Sequence, residues 1–125
     1  MTMANAQFTI DAADRADASI FNVPQDEPGT EDSVVVDDIS SHHVQHWYVH
    51  VENGFDVNVD VIVKGSHYLD ETLSSAVDDE VAKTVNSGTN TFLEGEGHSY
   101  IGANIDPATT PSTGTLTVTF QTREA

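Results

Sequence analysis

Between Phe55 and Lys64 the chain reads FDVNVDVIVK, with apolar residues at 55, 57, 59, 61 and 63. A period of two is the repeat of a strand with one buried and one wet face. The same alternation recurs in VQHWYVHVE, residues 44–52, where Trp47, Val49 and Val51 fall on one face and His46, Tyr48 and His50 on the other. It returns in TLTVTFQT, residues 115–122, with Leu116, Val118 and Phe120 inward. Shorter runs at 33–39 and 100–105 read as strands, and 6–10 and 19–23 as weaker ones. Asn53-Gly54 separates the first two runs and carries hairpin chemistry, so 44–52 and 55–64 are expected to pair with each other. Pro111 to Gly114 is the turn that opens the last strand.

The middle of the chain is ambiguous. Apolar residues at 69, 73, 76, 77, 81, 82 and 85 fit a helix about as well as a strand. Ser74-Ser75 and Asp78-Asp79 weigh against a long helix. A short helical turn near 70–77, a strand around 81–86 and a short strand at 91–93 are expected. The sum is seven to nine short strands parted by Gly, Pro, Asn and Asp. That pattern predicts an all-β chain, an antiparallel β-sandwich of jelly-roll-like form, with an immunoglobulin-like strand order also open. Residues 1–30, with Pro24, Pro28 and several acids, read as an N-terminal arm. Residues 31–125 read as the sandwich domain.

Charge bounds the partners. Across 125 residues there are 21 acids and 4 basic residues, a formal net charge of −17, and no cysteine. Phosphate backbones are bound by Lys and Arg, so nucleic acid is excluded as a direct partner, and anionic lipid is disfavoured. Without cysteine there is no disulfide, thiolate metal site or cysteine nucleophile. The acids run from Asp11 to Glu124 with no long block, which is a coat and not a tail. A strongly acidic surface keeps a protein soluble in high salt, where screening removes the repulsion. The composition therefore predicts a halophilic, haloarchaeal type of source. The opening MTMANAQFTIDAADR has no basic region followed by an apolar stretch, so synthesis in the cytoplasm without a signal peptide is expected.

Few residues suggest chemistry. His42, His43, His46 and His50 cluster in sequence, but residues four apart on a strand sit about 13 Å apart. His46 or His50 would need a partner strand or subunit to hold a metal. Asp78, Asp79 and Glu80 form an acidic cluster that could take Ca²⁺ or Mg²⁺, although no EF-hand pattern is present and no cofactor is required. No nucleophile elbow, P-loop or HExxH occurs, and the chain is read as a non-enzyme. Tyr48 and Tyr100 are the aromatic candidates for an interaction or sugar-stacking platform.

One resemblance follows from the strand motifs. VENGFDVNVDVIVKGS at 51–66, VNSGT at 85–89 and PSTGTLTVTF at 111–120 together look similar to small β-sandwich virion proteins of tailed viruses. The likeness spans roughly residues 44–122. It implies a structural component of a haloarchaeal virus particle: capsid decoration, a vertex turret, or a head–tail junction piece. Such a protein would act as a symmetric oligomer, with other copies and the capsid shell as partners and the virion as its location. The alternative is a receptor- or glycan-binding module on a fibre or cell surface.

Overall fold

The structure, a computed structural model, describes residues 3–23, 34–35, 45–66, 79–96 and 100–124. These residues hold nine strands: β1 (Met3–Asp11), β2 (Phe21–Val23), β3 (Val34–Val35), β4 (Gln45–Asn53), β5 (Val59–Ser66), β6 (Asp79–Val85), β7 (Asn90–Glu96), β8 (Tyr100–Pro107) and β9 (Thr115–Glu124). One 3-10 turn, Ala12–Asp14, interrupts them. Among the described residues no helix is long and apolar enough to cross a membrane.

Alternation explains the two layers. One sheet runs β1-β9-β4-β7 and the other β2-β8-β5-β6, with β3 also on β8. Every pairing is antiparallel. Trp47, Val49 and Val51 of β4 and Leu116, Val118 and Phe120 of β9 face Val59, Val61 and Val63 of β5 and Ala103 and Ile105 of β8 across one core. Each of these side chains is 1% exposed or less. Trp47 lies opposite Gly95 of β7, where a Cβ would come within 2.3 Å of the indole.

β2 and β3 pair with residues 103–105 and 100–101 of β8, end to end along one edge. With those two pieces taken as one strand, the orders become 1-8-3-6 and 2-7-4-5. That is the order of an eight-stranded jelly roll, and it differs from the ABED/CFG order of immunoglobulin-like sandwiches.

Two expectations fail. The hairpin between 44–52 and 55–64 does not form: β4 and β5 lie in different sheets, and residues 54–58 cross between them. A type I′ turn needs positive φ at both central residues. Positive φ occurs only at Gly88 and Gly114 among the described residues, so neither Asn53 nor Gly54 has that geometry. The arm expected at 1–30 is not separate from the sandwich in its described part, residues 3–23, while the 30/31 boundary lies outside the described residues. β1 pairs along its whole length with β9, and Ile10, Ala12, Phe21 and Val23 belong to the core. The helical turn near 70–77 lies outside the described residues.

One end of the sandwich is cross-braced. The segments joining β1 to β2, β4 to β5, β6 to β7 and β8 to β9 all meet there. Asn53 is 2% exposed and ties two of them together. Its Nδ2 donates to the carbonyls of Val57 and Val85, each at 2.9 Å, and its Oδ1 accepts from the Phe55 N–H at 3.0 Å. Its backbone accepts from the Gly88 N–H at 2.8 Å and donates to the Thr89 carbonyl at 2.9 Å. Asp56 accepts from the backbone N–H groups of Ser112 and Thr113, which hold its carboxyl below the ordinary range. Gly114, at φ 95°, presses against Gly54, and a Cβ there would fall 1.7 Å from the Gly54 carbonyl oxygen.

Candidate interaction surface

Alternation that buries Trp47, Val49 and Val51 turns His46, Tyr48 and His50 of β4 to the outer face of its sheet, where all three are half-buried. Their cross-strand partners on β7 are Glu96, Glu94 and Phe92, and on β9 Arg123, Gln121 and Thr119. His50 stacks on Phe92 with ring centroids 4.4 Å apart and planes at 20°. The His50 ring also lies 3.9 Å from the Glu52 carboxylate. Phe92 is 56% exposed, so this stack is an apolar island on a polar face. A shallow depression lined by His46, Tyr48, Glu94 and Gly95 adjoins it.

The metal candidates are not brought together. His46 and His50 stand four residues apart on one strand, about 13 Å. Asp79 and Glu80 begin β6 in the other sheet, opposite Gly65 and Lys64 of β5, and Asp78 lies outside the described residues. Among the described residues no three metal-ligating groups cluster. Tyr100 begins β8, so the two tyrosine candidates belong to different sheets.

The sheet edges hold what the sequence reading passed over. On one side of the sandwich, β6 and β7 are the two edges. Parity along β6 sets Lys83 with the inward Val85, yet Lys83 is exposed and its Nζ donates to the Phe92 carbonyl of β7 at 2.7 Å. An inward-pointing lysine on an edge strand is a known block to further strand pairing. Glu94 and Glu96 add charge to β7. A lysine at an inward position in EVAKTV was the available sequence signal.

The opposite side differs. There the described parts of β2 and β3 lie along β8. β1 has nine residues, and from Met3 to Ile10 it holds no charged residue and no proline. Among the described residues it pairs with β9 alone. The signal here was the late first acid, Asp11, in a chain with 21 acids.

No family model matches this chain, and no curated protein matches it. Among solved structures it is similar to a chain described as "Bacillus endospore appendages form a novel family of disulfide-linked pili". That match has a TM-score of 0.46 at 17% identity, over 96% of this chain and 87% of the other. So low a score and identity carry no inference about function.

Proposed function

We propose that this chain is a structural subunit that works by assembling with copies of itself, as a decoration, vertex or head–tail junction component of a haloarchaeal virus particle. The observation that carries the reading is the asymmetry of the edges. One side is closed by Lys83 on the Phe92 carbonyl, while on the other β1, without charge from Met3 to Ile10, pairs among the described residues with β9 alone. Long unguarded edges are rare in chains that stay alone, because they template pairing with another chain. Two further features support it. Jelly rolls recur in viral capsid domains, although a fold alone does not assign a function. The net charge of −17 suits a particle exposed to concentrated salt.

Sedimentation of the purified chain tests this reading. An oligomer in molar salt that loosens toward 0.1 M, where the Debye length grows to about 10 Å, is the expected result. A monomer at every salt concentration overturns it.

A second reading, glycan or receptor binding, is favoured by one observation: the exposed Phe92–His50 stack beside Tyr48 and Glu94. Aromatic faces beside hydrogen-bonding groups suit sugar rings. A glycan array probed in molar salt, with Phe92→Ala as the control, decides it. Binding that survives that substitution counts against this face.

A further inference from the structure

The open edge can be carried one step further, to its occupant, and this step rests on the assembly reading above. In an antiparallel strand, successive backbone N–H and C=O groups turn alternately to the two sides. About half of the backbone groups of β1 therefore point away from β9. Natural edges are guarded by shortness, charge, proline or bulges. From Met3 to Ile10 β1 has none of these, Asp11 at its end being its one charge, and its register with β9 runs unbroken from Met3↔Arg123 to Asp11↔Thr115. Phe8, whose ring meets Phe120 edge-on at 5.8 Å, is only half-buried and leaves apolar surface at this rim.

We infer that the occupant of this edge is β1 of a second copy, running antiparallel about a two-fold axis at Gln7, so that two four-stranded sheets join into one of eight strands. Charge selects the partner. A chain at −17 repels its own copies, and among the described edges β1 is a long one whose single acid, Asp11, lies at one end. Length selects the register. Centring on Gln7 opposes Met3 to Asp11, Ala4 to Ile10, Asn5 to Thr9 and Ala6 to Phe8, and so uses all nine residues of the strand. This register keeps odd residues opposite odd ones, so exposed Gln7 and Thr9 stay on the wet face and buried Ile10 on the core side. It also sets the two Asp11 side chains about 27 Å apart, more than twice the Debye length of about 10 Å at 0.1 M salt. The contact is self-complementary, as a two-fold interface requires.

The absence of cysteine makes the test clean. Gln7→Cys, at an exposed position, is treated with a short bis-maleimide in molar salt, beside Ser112→Cys at the braced end as control. Folding of each variant is checked by Trp47 fluorescence. Residues directly opposite across a pair have Cβ atoms about 5 Å apart. Gln7→Cys is expected to pass to dimer mass, and Ser112→Cys to stay at monomer mass. A mixture of Asn5→Cys with Thr9→Cys is expected to give more cross-linked dimer than either variant alone. An oligomer by sedimentation with no Gln7→Cys product refutes this inference and leaves the assembly reading with a different interface. Equal cross-linking of Ser112→Cys also refutes it, as random collision. A monomer in molar salt overturns both.

Discussion

Asn53→Ala is expected to destabilise the chain by about 2–6 kcal/mol, a large share of the roughly 5–15 kcal/mol that holds an ordinary domain together. The side chain serves three backbone groups: the carbonyls of Val57 and Val85 and the N–H of Phe55. Each buried group left without a partner costs about 1–3 kcal/mol. The bond to Val57 is only part-buried, so that carbonyl can turn to water, and two groups bear the full cost. The backbone bonds of Asn53 to Gly88 and Thr89 survive the truncation, so β4 keeps its register and the loss reports the amide alone. Urea unfolding at constant molar salt, followed through the single tryptophan, reads the shift. Trp47 is 1% exposed and so is a sharp probe of core opening. The midpoint should fall while the slope stays constant, since the exposed surface is unchanged.

Asn53→Asp supplies the internal control. The variant has the same shape but sets a carboxylate against two carbonyl oxygens where the amide donated. Burial and those oxygens raise its folded pKa above the unfolded value of about 3.9. The penalty is therefore smallest below that value and grows as pH rises, until it levels above the folded pKa. The stability gap to the parent should narrow on acidification. An Asn53→Ala cost under about 0.5 kcal/mol, or an Asn53→Asp gap independent of pH, would refute the account of this residue as the brace between two crossings.

Three other outcomes are expected. Gly88→Ala should lose about 1–2 kcal/mol from its φ of 77° alone, since its Cβ would meet open space. Gly114→Ala adds a backbone collision with Gly54 and should lose far more; equal melting shifts would show that the contact is not tight. The Asp56 carboxyl is held low chiefly by the Ser112 N–H and then by the Thr113 N–H, so its stabilisation is present above the unfolded pKa and is lost as pH falls through the lower folded one. Asp56→Asn should flatten the acid limb of the stability curve, and an unchanged limb would count against the brace. Lys83→Thr should change stability by no more than about 1 kcal/mol, because the bond to Phe92 is exposed, yet it should speed aggregation seen by light scattering. Unaltered scattering would mean that the lysine does not guard the edge.

The strands easiest to read were those with one face in the core and one in water. β4, β5 and β9 alternate over long runs because each is a sheet interior strand with Trp47, Val49 and Val51, Val59, Val61 and Val63, or Leu116, Val118 and Phe120 turned to the core. β1 and β2 were harder. Ala, Asn and Gln dominate the start of β1, so its alternation shows only at Phe8 and Ile10, and two prolines after β2 lend residues 1–30 the look of an arm. Asn53-Gly54 misled for a different reason. The dipeptide marks a turn by its tolerance of positive φ, but here Asn53 is used for its amide, with three side-chain bonds that only the folded chain can supply. The candidate site was legible at Tyr48 and His50 through strand parity. Phe92 lay in the short strand expected at 91–93, but its stacking on His50 depends on cross-strand register, which a single run of sequence does not specify.

Charge and edge protection are linked in this fold. In molar salt the Debye length shrinks to about 3 Å, so acids across a gap no longer keep two sheets apart. An edge guarded by repulsion alone would then be open. Under the conditions that the acid coat suits, protection has to be local and geometric. Lys83 meets that need, because its hydrogen bond to the Phe92 carbonyl occupies an acceptor that a foreign strand would use. β1 has no such device from Met3 to Ile10, and the coat that surrounds it loses its reach under those same conditions. On this reasoning high salt both solubilises the chain and releases its one long unguarded edge among the described strands for pairing. The proposed salt dependence of assembly and the proposed contact then have a single physical cause.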